Sequence, residues 1–195
     1  MAFWTSALSE PKRKHRFILR LPDLIVPSDS SVAGQSFAEY LAKSVTKPSY
    51  TVGTTEHKFL GNTYYYPGAV TWNDVTATIV NSVAPDGNEL LYQALQQMGY
   101  LKPDIQEDVF LQNLPASTPN KAAALATLGQ VEFEELSGEG GTLGTWKLQN
   151  AFITNVTFGD LDYAGEDLLD ITIQFRYDWA TYEVGPASQA LANIS

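Results

Sequence analysis

The sequence predicts a mainly β chain with antiparallel strands and one well-defined helix, and three observations support this. Residues 169–179 alternate apolar and polar side chains without a break, which is the period of a strand with one apolar and one polar face. Residues 70–83 are rich in β-branched side chains, which favour strands. Only the segment from Asp86 to Gly99 combines helical periodicity with start and stop signals.

The first fifty residues predict an arm, a strand, a loop and a short helix. Phe3 and Trp4 are large apolar side chains outside any periodic pattern, and the basic residues 12–16 follow them. Phe17, Leu19 and Leu21 then recur at strand spacing. The Pro-, Ser- and Asp-rich residues 22–35 predict a loop, and residues 36–44 predict a short helix.

Residues 50–67 predict a long hairpin or loop that projects from the core. The segment is polar and aromatic, with Gly53, Gly61 and three consecutive tyrosines at 64–66. Consecutive rings on an extended segment point to both of its faces, which suits an interface better than a core. The strand after it is predicted to bury one face, made of Val75, Ala77, Ile79 and Val83.

The helix prediction is specific in its details. Asp86 is the expected cap, and Glu89 stands in a capping-box relation to it. Gly99 is expected to end the helix in a left-handed turn. The buried stripe is predicted to be Leu91, Leu95 and Met98.

The second half of the chain predicts an irregular excursion followed by strands. Residues 100–128 contain three prolines and one Ala-rich piece, Lys121 to Leu128, that is predicted to be helical. Three strands are then expected, at 130–136, 145–158 and 168–179. Glycines at 138–144 and the acidic residues 160–167 are the predicted turns.

Composition and charge restrict the class of protein further. The 195 residues fit one domain, with neither a signal peptide nor a membrane span expected. Cysteine is absent, which excludes disulfides and thiolate metal sites. Residues 1–60 hold eight Lys or Arg against five Asp or Glu, and residues 61–195 hold four against seventeen, which gives the net charge of −10. An acidic body repels nucleic acid, whereas the basic segment suits an acidic neighbour.

No catalytic constellation is recognisable, so the sequence predicts no enzyme, no cofactor and no metal site. The acidic residues 160–167 lack the ligands that a calcium loop needs at its fifth and twelfth positions. Glu132 and Glu134 would lie about 7 Å apart on one strand face, as in a glycosidase pair, but no cleft is predicted there. The two histidines, His15 and His57, belong to no nucleophilic triad.

The order of several motifs resembles the tail tube protein family of contractile-tailed bacteriophages. The resemblance covers roughly residues 14–182. In the first half it consists of residues 42–83, in which a projecting segment leads to Trp72-Asn73-Asp74 and a Val-Thr-Ala-Thr-Ile-Val strand, with the helix from Asp86 next. Near the end it consists of residues 146–152, 155–156, 159–163 and 171–179. Residues 1–13 would then be an arm and 183–195 a C-terminal tail.

The resemblance implies a fold, an assembly and a location. The fold would be an antiparallel β-barrel or sandwich with one flanking helix and a projecting hairpin. Six copies would form a ring, and rings would stack into the inner tube of a virion tail, assembled in the bacterial cytoplasm. Implied partners are the sheath, baseplate, tail-terminator and tape measure proteins, with DNA passing through the lumen without sequence-specific binding and no membrane anchor.

The resemblance also suggests surfaces. Residues expected in ring stacking or in gripping a neighbour are Phe3, Trp4, Lys12, Arg13, Lys14, His57, Lys58, Tyr64, Tyr65 and Tyr66. The polar strand faces expected to line the lumen, or else to meet the next ring, hold Glu132, Glu134, Asp170, Thr172, Gln174 and Asp178.

Three alternatives stay open from the sequence. A baseplate tube-initiator or the inner-tube protein of type VI secretion would share the fold. From a different class, a β-sandwich glycan-binding module would use Tyr64 to Tyr66 and Trp72 as stacking platforms.

Overall fold

The computed structural model describes residues 11–21, 41–84, 86–100 and 119–192, and within them two four-stranded antiparallel sheets enclose the core. Sheet I contains, in spatial order, β1 (Phe17–Arg20), β6 (Val131–Leu136), β7 (Thr142–Gln149) and β10 (Trp179–Val184). Sheet II contains β2 (Ala42–Val45), β5 (Val75–Val80), β9 (Asp170–Arg176) and β8 (Phe152–Thr157). The predicted antiparallel, mainly β fold is confirmed.

A long hairpin leaves sheet II between β2 and β5. Its strands, β3 (Tyr50–Phe59) and β4 (Asn62–Trp72), pair in register from Tyr50 opposite Trp72 to Phe59 opposite Asn62. The two turn residues, Leu60 and Gly61, both have positive φ, at 48° and 81°. Such a two-residue turn matches the right-handed twist of the strands that it joins. The predicted projecting hairpin is confirmed.

The core lies between the inner faces of the two sheets. Sheet I contributes Leu19, Val131, Phe133 and Leu148 to this core. Sheet II contributes three side chains from β5, Val75, Ala77 and Ile79, and three from β9, Ile171, Ile173 and Phe175. Fully burying such a side chain contributes about 1.5–3 kcal/mol. The predicted apolar face of β5 is therefore confirmed except at Val83, which lies beyond the strand and is fully exposed.

Three helices accompany the sheets in the described ranges: α1 (Gly87–Gln97), α2 (Lys121–Leu128) and α3 (Pro186–Ala192). The Asp86 carboxylate caps α1 by accepting from the Asn88 N–H at 3.0 Å. Gly99 follows the helix with φ of 80°. The predicted stripe of Leu91, Leu95 and Met98 is buried, as expected. Glu89 accepts a hydrogen bond from the Gln93 side chain, a bond that the capping-box pattern does not predict.

The predicted eleven-residue strand at 169–179 is wrong, because the chain changes sheets within it. Strand β9 ends at Arg176, and β10 begins at Trp179 in sheet I. The Asp178 N–H donates to the Gln149 carbonyl oxygen at 3.0 Å, which starts the new pairing. The change reverses which residues point inward, so Tyr177 is buried whereas Trp179 is 47% exposed.

Two other predicted elements also differ from the structure. The single strand expected at 145–158 is interrupted at Asn150, whose φ is 55°, so β7 and β8 belong to different sheets. The helix expected at 36–44 is replaced by strand β2 from Ala42, since this segment pairs with β5, and its first half lies outside the described residues. The Lys121–Leu128 helix is confirmed as α2. Strand β10 extends to Val184 and so includes the first two residues of the expected tail, and the domain limits stay a prediction.

Candidate functional site

The hairpin of β3 and β4 carries eight of the large apolar side chains that are exposed in the described part of the chain. Every residue of β3 is exposed, as is every residue of β4 before Trp72. Its exposed apolar side chains are Tyr50, Val52, Phe59, Leu60, Tyr64, Tyr65, Tyr66 and Val70. Because a monomer rarely exposes so large a contiguous apolar patch, this surface is suited to contact another protein.

The structure brings five of the predicted contact residues together on this hairpin. His57 lies opposite Tyr64, and Glu56 lies opposite Tyr65. Lys58 is two residues after Glu56 on the same strand. Since side chains alternate along a strand, Tyr64 and Tyr66 share one face with His57. Tyr65 shares the other face with Lys58.

The base of the hairpin is anchored to the body by aromatic contacts. The Trp72 ring lies 5.2 Å from the Tyr50 ring and 5.9 Å from the Tyr177 ring, measured between centroids. Trp72 is half-buried and packs against the core. It is therefore a packing residue, in contrast to the free stacking platform that a glycan-binding module would need.

The outer face of sheet I carries a network of ion pairs that includes two predicted lumen residues. Arg20 Nε lies 2.9 Å from Glu134 Oε1, and Glu134 also accepts from the Thr142 hydroxyl at 3.2 Å. Lys147 Nζ lies 3.8 Å from Glu132 and 2.9 Å from Glu183. The hydrogen bond to Glu183, together with the Glu132 charge, raises the pKa of Lys147. Glu134 is thus ion-paired with Arg20, whereas Glu132 shares Lys147 with Glu183.

The outer face of sheet II is mostly uncharged. In its central rows Thr172 lies between Thr78 and Thr157, and Gln174 lies next to Thr76. Charged pairs occupy its ends. Asp170 accepts from Lys43 Nζ at 2.5 Å, a bond that raises the pKa of Lys43, and Asp74 accepts from Gln174 at 3.0 Å and from Arg176 at 2.8 Å.

The six predicted lumen residues therefore do not form one surface. Glu132 and Glu134 lie on the outer face of sheet I, whereas Asp170, Thr172 and Gln174 lie on the outer face of sheet II, on the other side of the core. Because the two strands belong to opposite sheets, a single wall cannot contain both groups.

Asp178, the sixth of them, lies where the chain crosses between sheets. Its carboxylate accepts from Lys121 Nζ at 2.6 Å and 2.9 Å and from Asn150 Nδ2 at 2.7 Å. These bonds, Lys121 first and Asn150 second, lower the pKa of Asp178. The residue joins α2 to both crossings and is a structural link in the monomer.

A basic cleft, which the sequence did not predict as a unit, opens between β1 and β2, the edge strands on one side of the two sheets. It has a volume of about 530 Å³. Its apolar lining includes Phe17, Val45, Leu143 and Trp146, and Lys12, Arg13, Lys14, Lys43 and Lys47 are among the basic residues around it. These residues come from four separate parts of the sequence, and only the run at 12–16 marked the region as basic.

Glu135 organises one wall of this cleft. Lys12 Nζ donates to it at 2.5 Å, and Lys47 donates to its other oxygen. Burial alone would raise the pKa of the Glu135 carboxyl, but the two lysine bonds outweigh that effect and lower it. Lys12 also lies over the Tyr182 ring, 5.7 Å from its centroid.

The predicted N-terminal arm is only partly described. Phe3 and Trp4 lie outside the described residues. Lys12 binds Glu135 of its own chain, and its predicted role in a contact between subunits stays a prediction. Arg13 and Lys14 are exposed, and neither has an ion pair with the described part of the chain.

The acidic loop, residues 158–168, connects β8 to β9. Leu161 is 89% exposed, Leu168 is 71% exposed, and Tyr163 is fully exposed. The Ala164 N–H donates to Asp162, which shapes the turn, while Asp160, Glu166 and Asp167 are exposed. The sequence indicated an acidic turn here but gave no sign of the apolar side chains projecting from it as a group.

Comparison with solved structures identifies the fold. A chain of the sheath/tube terminator of an extracellular contractile injection system, PVC, matches with a TM-score of 0.61, 18% identity, and coverage of 90% of this chain and 98% of that one. A chain of its sheath-tube complex matches with a TM-score of 0.58, 17% identity, and coverage of 89% and 92%. A chain of the tube-terminating cap of the anti-feeding prophage matches with a TM-score of 0.59, 17% identity, and coverage of 94% and 99%.

The chain has a fold found in contractile injection systems. No family model matches the sequence. No curated protein matches it either. The relationship to the contractile-injection fold is therefore visible in three dimensions, and the expectation of a tube-protein fold that came from the motif order is confirmed at the level of the fold.

Two further features concern the helices and the possible metal ligands of the described residues. None of the helices there combines the length and the hydrophobicity that a bilayer crossing requires. The same residues contain no group of three or more His, Asp or Glu side chains placed to hold a metal ion.

Proposed function

We propose that this protein is the subunit of the inner tube of a contractile tail, a structural component without enzymatic activity. Six copies form a ring, and rings stack inside a sheath into the conduit through which DNA leaves a virion. The sheath, baseplate, terminator and tape measure proteins are its partners in that assembly. The fold shared with chains of a sheath-tube complex and of tube terminators supports a tube-type role.

The observation that carries the proposal is the exposed hairpin. It continues β2 and β5 beyond the body and presents aromatic side chains on both faces. A two-stranded hairpin is only marginally stable by itself in water, so a long exposed one is best explained by a partner that packs against it. Stacking against the adjacent ring supplies such a partner, with contacts on both faces of the hairpin.

The ring itself is supported by the sheet edges. Sheet II has β2 at one edge and β8 at the other, and edge strands with unpaired backbone groups invite pairing with another chain. A head-to-tail contact of this kind closes into a ring when the rotation per subunit divides a full turn. In such a ring one sheet faces the lumen, so the lumen candidates separate into Glu132 with Glu134 and the row of Asp170, Thr172 and Gln174.

The proposal is tested by electron microscopy of the purified protein. We expect rings, and stacks of rings at higher concentration. A variant in which residues 56–65 are replaced by a two-residue turn should still form single rings but lose stacking, because the body and both sheet edges are retained. The matched control replaces Glu139, an exposed residue of the β6–β7 connection outside the hairpin, by Gln and should stack normally.

Three results would contradict this function. A wild-type protein that remains monomeric at all concentrations has no tube-forming activity. Unchanged stacking of the shortened hairpin would remove the hairpin from the contact. Single rings from the wild type that never stack would favour a terminator or initiator role within the same assembly.

A further inference from the structure

We propose that the acidic loop of one copy docks into the basic cleft of a neighbouring copy and so forms the contact between adjacent subunits. This inference deepens the proposed function and rests on it, since it names the residues by which copies associate. The occupant of the cleft is thus a second copy of this chain, and the segment that enters is residues 158–168.

Charge complementarity is the first reason. The acidic loop has four carboxylates, Asp160, Asp162, Glu166 and Asp167, and no Lys or Arg. Arg13 and Lys14 stand at the cleft, exposed and without an ion pair in the described part of the chain. Opposite potentials on two surfaces steer encounter and select the correct partner.

Apolar complementarity is the second reason. The loop projects Leu161, Tyr163 and Leu168 into solvent, and each is more than two-thirds exposed. The cleft has an apolar lining of Phe17, Val45, Leu143 and Trp146, and its volume of about 530 Å³ admits one or two such side chains. A tyrosine or leucine anchored in a pocket and surrounded by charged pairs is the usual composition of a specific protein contact.

The positions of the two surfaces are the third reason. The acidic loop leads from β8 into β9, whereas the cleft lies at β2, and β5 separates β2 from β9 in sheet II. Two complementary surfaces at different positions on a subunit allow a head-to-tail contact, which is the kind that closes into rings. Lys43 is not counted among the available cations, because it already binds Asp170.

Intermolecular disulfide formation tests the contact directly, because the natural chain has no cysteine. One preparation carries Tyr163→Cys and the other, with a larger tag, carries Lys14→Cys. A disulfide requires the two Cα atoms to approach within about 7 Å. We expect a mixed, disulfide-linked dimer after mild oxidation. The matched control pairs Tyr163→Cys with Tyr92→Cys, an exposed site on α1, and should give no such dimer.

Charge reversal tests the energetics. The loop variant Asp160→Lys with Glu166→Lys, and the cleft variant Arg13→Glu with Lys14→Glu, should each weaken ring formation by at least about ten-fold. Mixing the two variants should restore association, because the charges are then complementary again. Glu89→Lys with Glu139→Lys changes the net charge as much as the loop variant does, at exposed sites outside both surfaces, and should leave ring formation unchanged.

The outcomes separate this inference from the proposed function. A wild-type protein that forms no rings would overturn the tube role itself. Wild-type rings with no mixed disulfide, or with loop and cleft variants that assemble normally, would overturn only this contact. A disulfide that forms within a single chain carrying both cysteines, or a mixed disulfide that appears only after residues 1–10 are deleted, would assign the cleft to a segment of its own chain.

Discussion

At the scale of single residues, Glu135 shows how an acidic chain holds its basic segment in place. The residue joins Lys12, which precedes β1, to Lys47, which follows β2. It therefore connects an edge of each sheet across the cleft. Only 12% of the side chain is exposed, so its charge depends on both lysines for solvation.

Replacing this glutamate should lower stability in a pH-dependent way. The Glu135 carboxyl has a lowered pKa in the folded chain, so its contribution is present above the ordinary glutamate pKa of about 4.3 and is lost as the pH falls through the folded value. We expect Glu135→Gln to reduce the free energy of unfolding by about 1–2 kcal/mol at pH 7, between the values for exposed and buried pairs.

Urea denaturation followed by circular dichroism measures this effect. The difference between wild type and Glu135→Gln at pH 7 should shrink to near zero at a pH below the lowered folded pKa, where the carboxyl is protonated in both states. Glu139→Gln, at an exposed turn position, is the control and should match wild type throughout. A deficit for Glu135→Gln that is equally large at both pH values would show that shape, and not charge, is responsible.

At the scale of elements, the turn after β8 is fixed by a glycine. Gly159 has φ of 80°, and a Cβ placed there would lie 2.6 Å from the Asp170 carbonyl oxygen. Both the backbone conformation and the contact therefore require glycine. Gly140, in the β6–β7 connection, has φ of 84° but has no atom within 4 Å of the same position.

The two glycines form a matched pair for mutation. Gly140→Ala should lower stability by about 1–2 kcal/mol, the strain of a left-handed residue with a side chain. Gly159→Ala should cost at least about 1 kcal/mol more, because backbone atoms of β9 must also move. Thermal denaturation of both variants measures the difference. Equal losses of stability in the two variants would mean that the start of β9 shifts at no measurable cost to accommodate the added methyl group.

The same scale explains which parts of the fold the sequence predicts well. Strand β5, the hairpin and α1 each have their signals within a few adjacent residues, such as Asp86 before the helix and Gly99 after it, and all three were predicted. The crossing between sheets at Asp178 was not predicted, because Tyr177 and Trp179 continue the alternation of apolar and polar residues while the chain changes sheets. The cleft was not predicted either, since Lys12 and Glu135 are separated by 123 residues.

At the scale of the whole molecule, stability is distributed unevenly. Strands β5 and β9 are central in sheet II and bury six apolar side chains, whereas the hairpin forms a two-stranded sheet of its own whose strands are exposed beyond the base at Trp72. The backbone of the hairpin should therefore open easily in the isolated subunit.

Hydrogen exchange measures this difference. In dilute, unassembled protein the amides of β3 and β4 should exchange much faster than those of β5 and β9. On assembly the hairpin amides should become protected while the central strands change little, since the hairpin gains a partner whereas β5 and β9 are already paired on both sides. Hairpin amides that exchange as slowly as those of β5 before assembly would contradict the assignment of this hairpin as a surface completed by another subunit.

The two crossings between sheets have a mechanical consequence. The β7–β8 and β9–β10 connections both lie on one side of the body, and the hydrogen bond from Asn150 to Asp178 ties them together. On the opposite side the cleft opens between β1 and β2, and Glu135 bridges it through ion pairs with Lys12 and Lys47. The sheets are thus joined by two backbone crossings on one side and by exposed lysine side chains on the other. Because such side chains shift more easily than a backbone crossing, any widening that accompanies the arrival of a neighbour should occur on the side of the cleft.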